Sequence, residues 1–135
     1  MTENFKILIS YREQNGEITK EKAECNYLFD GENAIISYLE PRGENSVPTR
    51  VRILWSEDML KVVRNGDMSA EFCFFKDNRN FEVKYKTAVG TLVFDTKTEF
   101  LDFKASENGC RAEIRYTISQ NGDAPILREM IFEVK

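Results

Sequence analysis

Histidine is absent from all 135 residues of this chain. Its absence removes the commonest general base, the commonest metal ligand and the usual partner of a Ser or Cys nucleophile, so no classical triad can be assembled. Cysteine is sparse, with Cys25, Cys73 and Cys110 far apart and no Cys-x-x-Cys pair, which excludes zinc-ribbon and thioredoxin-type chemistry. The three read as unpaired small hydrophobes of a reducing compartment. Cys25 and Cys110 share the phase of Tyr27 and Ala112 and are expected inside, whereas Cys73 falls out of phase with Phe72 and Phe74 and is expected to be the reachable thiol. No apolar run approaches the ~18 residues of a membrane-spanning helix, and Met1 to Lys6 show no signal-peptide core. A cytoplasmic location without a membrane partner is therefore expected. An excess of one charge is lacking too: 19 basic and 23 acidic residues give a net charge of −4. Through Asp67 the count is 9 basic and 12 acidic, and beyond it 10 and 11, so neither half offers the basic surface that nucleic acid requires.

What is present is a composition of 41% hydrophobic, 31% charged and 12% aromatic residues, ordinary for a globular protein. At roughly 100 to 200 residues per domain, the chain is expected to form one domain over 1–135. Apolar residues alternate almost throughout: Phe5, Ile7, Ile9 and Tyr11, then Ala23, Cys25, Tyr27 and Phe29, and later Ala112, Ile114, Tyr116 and Ile118. Period two places one set of side chains on a buried face and the other in water. Strands are predicted near 4–13, 18–29, 34–40, 49–55, 59–64, 67–75, 80–87, 91–103, 110–119 and 126–134, with no long helix. Turn chemistry falls between them at Asn15-Gly16, Asp30-Gly31, Asn65-Gly66, Asn78, Asn108-Gly109 and Asn121-Gly122. The polar gap from Pro41 to Pro48 reads as a mobile loop.

Register follows from the turns. A two-residue turn at Asp30-Gly31 would pair Tyr27 with Ala34, Cys25 with Ile36 and Ala23 with Tyr38. A three-residue loop of Arg64, Asn65 and Gly66, with Gly66 left-handed, would pair Val62 with Met68 and Leu60 with Ala70. The stretch from Thr87 to Gly90 sets Tyr85 opposite Leu92 and Val83 opposite Phe94. Short antiparallel strands with one apolar face each must curl to bury that face and remove their edges. The predicted fold is an all-β antiparallel meander barrel of about eight to ten strands. A barrel of more than eight strands leaves room for a ligand unless large side chains fill it, and ten phenylalanines are available to do so.

Val62-Val63-Arg64-Asn65-Gly66, Phe72-Cys73-Phe74, Tyr85-Lys86-Thr87 followed by Gly90, Thr96, and the earlier Ile36-Ser37-Tyr38-Leu39-Glu40 occur in an order and spacing that resembles the YwiB-like bacterial family of unknown function. The resemblance spans Phe5 to Val134 and implies a calycin-like, lipocalin-resembling β-barrel. It implies no catalytic residue, and the stretch from Glu40 to Thr49 departs from it.

Arg64, Tyr85, Thr87, Thr96 and Tyr38 are the expected ligand-binding residues. Arg64 beside its turn offers a bidentate fork to a carboxylate or phosphate, against the plainer reading of a rim ion pair with Asp67. Tyr38, Tyr85, Thr96 and Thr98 lie in phase with apolar neighbours, and inward hydroxyls need partners from ligand, water or one another. Thr87 belongs to a hairpin expected at the same mouth as Arg64. Glu40, Asp95 and Asp102 read as solvated strand ends rather than a general-acid pair. Lys84, Lys86, Arg111 and Arg115 read as the wet faces of strands, and Trp55 as a plug at one barrel end. The leading expectation is a non-enzymatic barrel that binds a small, largely apolar molecule with a polar or acidic head, without cofactor or metal. The rivals are a filled barrel acting through its outer surface or as a homodimer, and a histidine-independent barrel enzyme of the cyclase or isomerase type.

Overall fold

A computed structural model describes residues 4–14, 16–40 and 48–135. Most of the Pro41 to Pro48 loop, and Asn15 of the first turn, lie outside the described residues. The alternation becomes ten strands: β1 (Phe5–Glu13), β2 (Thr19–Phe29), β3 (Ala34–Glu40), β4 (Thr49–Ser56), β5 (Met59–Asn65), β6 (Ala70–Phe75), β7 (Asn80–Thr87), β8 (Gly90–Ser106), β9 (Gly109–Ser119) and β10 (Ile126–Val134). No helix forms among the described residues.

All ten strands belong to one antiparallel sheet in the order β6-β5-β4-β3-β2-β1-β10-β9-β8-β7. Neighbours in sequence are neighbours in space, and β1 pairs with β10 from Ile7↔Val134 to Glu13↔Arg128. The meander thus curls into a nearly closed barrel whose seam runs between β6 and β7, in the middle of the chain. The seam is pinned at one end, where Ser69 and Lys86 exchange two backbone hydrogen bonds of 3.0 and 2.8 Å. Further along, the Phe75 N–H donates to Thr98 Oγ1 at 3.1 Å, so a side chain replaces a ladder bond. Inward side chains from every strand form one core, with Ile7, Ile36, Leu60, Phe74, Ile114 and Phe132 at or near zero exposure.

The register expected for Thr87 to Gly90 is observed, with Tyr85↔Leu92 and Val83↔Phe94. Two others differ. At Asp30 the pairs are Cys25↔Tyr38, Tyr27↔Ile36 and Phe29↔Ala34. The shift is two residues, because the Asp30 carboxylate accepts from Glu32 N–H at 2.9 Å and Asn33 N–H at 2.7 Å and stabilises a four-residue loop. Shifting by an even number keeps the same face inward. At Asn65 the pairs are Arg64↔Ala70, Val62↔Phe72 and Leu60↔Phe74, so β6 begins at Ala70 and Met68 sits exposed in the loop. Gly66 is not left-handed. It is required for another reason, since a Cβ there would lie 2.6 Å from Thr49 Oγ1. In β8 a bulge between Thr98 and Phe100 reverses the alternation, so Thr98 and Leu101 point in while Phe100 is exposed beneath Arg115.

Cys73 corrects its expectation. It is 5% exposed although its phase is outward, and its neighbours Lys61 and Glu71 form an ion pair across the same strands. All three cysteines are free. The barrel end where β2, β4 and β8 finish is shut by Trp55, which stacks on Phe103 with ring centroids 4.7 Å apart. There the Tyr27 hydroxyl donates to the carbonyls of Ser106 at 2.7 Å and Gly109 at 3.1 Å.

Candidate functional site

The opposite end, where β1, β3, β5, β7 and β9 finish, holds a cavity of about 710 Å³ open to solvent. Its floor is aromatic. Phe72 and Phe74 from β6 meet Tyr116 from β9 at 6.3 and 4.7 Å, and Tyr85 from β7 stands edge-on to Phe72 at 5.7 Å. Above this floor the inward phase of several strands ends in charge: Glu13 on β1, Glu21 on β2, Glu40 on β3, Arg64 on β5 and Arg128 on β10. Alternation delivers them because each lies two residues from a buried or half-buried inward neighbour, as Arg64 does from Val62 and Glu40 from Tyr38.

Two ion pairs organise this band. Arg64 Nη2 lies 2.5 Å from Glu40 Oε2, with side chains 24% and 14% exposed. That oxygen is out of contact with solvent, and the Arg64 guanidinium is what compensates its charge. Arg128 Nε donates to Glu13 Oε2 at 3.2 Å, and its guanidinium also hydrogen-bonds the Tyr116 hydroxyl. Burial opposes the charge on both arginines, yet the carboxylate or hydroxyl beside each raises its pKa. Burial also raises the hydroxyls of Tyr38, Tyr85 and Tyr116, and carries Tyr11 to about 12 with Glu21 adding to the effect. These phenols are neutral at physiological pH. They offer hydrogen bonds rather than phenolate nucleophiles.

Of the residues singled out from sequence, Arg64 and Tyr85 line the cavity. Tyr38 is buried within the fields of Tyr11, Arg64 and Glu40. Thr87 instead closes its hairpin, donating to the Gly90 carbonyl at 2.7 Å and accepting from Val89 N–H at 3.3 Å. Thr96 is buried and donates to the Phe81 carbonyl at 2.9 Å, tying β8 to β7. Both hydroxyls serve the sheet because a hairpin end and a seam strand leave backbone groups to satisfy. Arg64 pairs with Glu40, not Asp67, and Glu40 is enclosed rather than a solvated strand end. Tyr11, Glu13, Glu21, Tyr116 and Arg128 were not singled out. Their signal was a charged or phenolic residue in the inward phase near a strand end at this mouth.

The family described as Domain of unknown function (DUF1934) matches residues 4–130. The chain belongs to the DUF1934 family. Among solved structures, that described as the crystal structure of ywiB protein from Bacillus subtilis superposes with a TM-score of 0.79 at 19% identity, covering 98% of this chain and 89% of that one. The similarity establishes a shared barrel fold. No curated protein matches the sequence. Within the DUF1934 domain the cavity lining comes from both halves of the chain, from Tyr11 to Met130, so the site depends on closure of β1 against β10. Among the described residues no group of three His, Cys, Asp or Glu is placed to hold a metal ion.

Proposed function

We propose that this DUF1934 barrel binds a small, largely apolar molecule in the mouth cavity, with its body on the Phe72 and Phe74 floor and a polar head among Arg64, Tyr85, Tyr11 and Arg128. The observation that carries the reading is the asymmetry of the barrel. One end is shut by the Trp55–Phe103 stack, and the other opens on a cavity of about 710 Å³ with an apolar floor and a charged band. That volume lies within the range of small-molecule sites, roughly 300 to 1,000 Å³, and the division into apolar body and few polar groups is their usual anatomy. A calycin-like barrel closed at one end provides the same arrangement, and a cytoplasmic location accords with the three unpaired cysteines.

Native mass spectrometry of the chain purified from its own host tests the proposal. A discrete small-molecule adduct that is lost on Phe72→Ala is expected; a bare protein mass across preparations would contradict it. A second reading has one observation in its favour. Ile18, Leu39, Met68, Val89, Leu92 and Leu127 are exposed apolar residues of strand ends and loops at the mouth. In that reading the rim meets a second copy of the chain or another protein. A dimer by light scattering that Val89→Glu dissociates would favour it.

A further inference from the structure

We propose that the head group this cavity selects is uncharged and carries oxygen, which makes the ligand class an apolar, ring-bearing alcohol, ketone or ester; the inference rests on the small-ligand reading above. The state of the charges is the first observation. Arg64 faces Glu40, Arg128 faces Glu13 and the Tyr116 hydroxyl, and Glu21 is partnered too. Among the described residues no inward charge of the band is left without a partner. Arg12 and Glu129, which also line the opening, sit opposite each other in the outward phase of β1 and β10, and Glu17 is exposed in the link between β1 and β2.

A charged head would give up water on entering the cavity and gain no free counter-charge in return. An anion must compete with Glu40 and Glu13 for their arginines, and a cation with Arg64 and Arg128 for their carboxylates. Either exchange breaks an existing pair and strands one of its members. An uncharged head leaves both pairs intact.

The spare hydrogen-bonding groups are the second observation. Tyr27 spends its hydroxyl on two carbonyls and Tyr116 on Arg128, whereas the hydroxyls of Tyr11 and Tyr85, which line the cavity, have no hydrogen-bond partner among the described residues. The charges of Arg64 and Glu40 reach both phenols, so the two stand beside the same ion pair. Burial keeps both neutral, and a neutral phenol donates to a ligand oxygen or accepts from a ligand hydroxyl. Arg64 presents Nη2 to Glu40, and its other N–H groups also call for an acceptor. Below them, the rings of Phe72, Phe74 and Tyr116 offer a ligand ring the tilted and edge contacts they already make with one another.

Naphthylethanol, naphthylethylamine and naphthylacetate share one ring system, and their titration by calorimetry at neutral pH separates this inference from the reading beneath it. The alcohol is expected to bind about tenfold more tightly than either ion. The double variant Tyr11→Phe/Tyr85→Phe keeps both rings and removes both hydroxyls, so it should weaken the alcohol about fivefold or more while the urea midpoint stays near that of the wild type. If either ion binds as tightly as the alcohol, the neutral-head inference fails and the small-ligand reading stands. Unchanged affinity for the alcohol in the double variant would also overturn it, since the hydroxyls would then not read the head. So would a marked fall in the midpoint, which would show these hydroxyls serving the fold. If none of the three binds, the small-ligand reading itself is wrong.

Discussion

Removing Arg64 should destabilise the barrel through the carboxylate it leaves behind. In Arg64→Met the unbranched stem is roughly kept, but Glu40 loses its counter-charge while its Oε2 stays out of reach of solvent. Breaking a buried pair from one side costs about 3 to 5 kcal/mol. Because the Arg64 side chain is 24% exposed and the pair borders an open cavity, solvent screening brings the cost below that range, to about 2 to 3 kcal/mol. For a domain of this size such a loss lowers Tm by roughly 5 to 12 °C and moves the urea midpoint by about 1 to 2 M. Trp55 is the sole tryptophan and stacks on Phe103 at the closed end, so its fluorescence reports global unfolding rather than local change at the mouth. The double variant Arg64→Met/Glu40→Leu removes both charges and should recover most of the loss. A wild-type midpoint for Arg64→Met would refute the reasoning. So would a double variant less stable than the single one. The rim ion pair that sequence offers for Arg64 thus forms with Glu40 in place of Asp67.

Gly109→Ala should lower stability by about 3 kcal/mol or more in the same urea assay, because at φ +142° its Cβ would lie 2.0 Å from the Val134 carbonyl oxygen. Tyr27→Phe deletes the donor to the Ser106 and Gly109 carbonyls and should cost about 1 to 2 kcal/mol. Alkaline titration should weaken the fold: burial raises Cys25 from 9.0 to about 11, Cys110 from 9.0 to about 12, and Tyr11 from 10.0 to about 12. The unfolded chain ionises first, so this stability is present below pH 9 and lost as pH rises to about 12; a urea midpoint that stays flat or rises across that window would contradict it. Since Cys73 and Cys110 are buried, Cys25 is half-buried and burial raises all three thiols, none should react rapidly with a thiol reagent at pH 8, Cys73 included.

Strand after strand, alternation was enough to place residues on a face. Ile7, Ile9 and Tyr11 point inward as their spacing requires, and so does Arg64 two residues after Val62. What alternation does not contain is distance across the barrel. Glu40 and Arg64 lie on strands separated by β4, and nothing in their spacing says that the two ends meet. Glu13 and Arg128 come together only because β1 closes on β10, a pairing between opposite ends of the chain. Loop geometry hid the registers at Asp30 and Asn65, where side-chain capping or a close approach to Thr49 set the length instead of the Gly dipeptide. The bulge after Thr98 was invisible because Phe100 and Leu101 are both apolar, so either phase fitted. Thr87 and Thr96 read as ligand groups because an inward hydroxyl looks the same in sequence whether it faces a cavity or a neighbouring carbonyl.

Chemical-shift mapping with naphthylethanol, a probe without charge, tests the central claim most directly. If the mouth cavity is the binding site, saturable shifts should centre on the ring and backbone signals of Tyr11, Phe72, Tyr85 and Tyr116, while Trp55 and Phe103 at the closed end stay unmoved. Shifts centred on Trp55 or on outward residues such as Leu28, or no saturable shift at all, would contradict the claim.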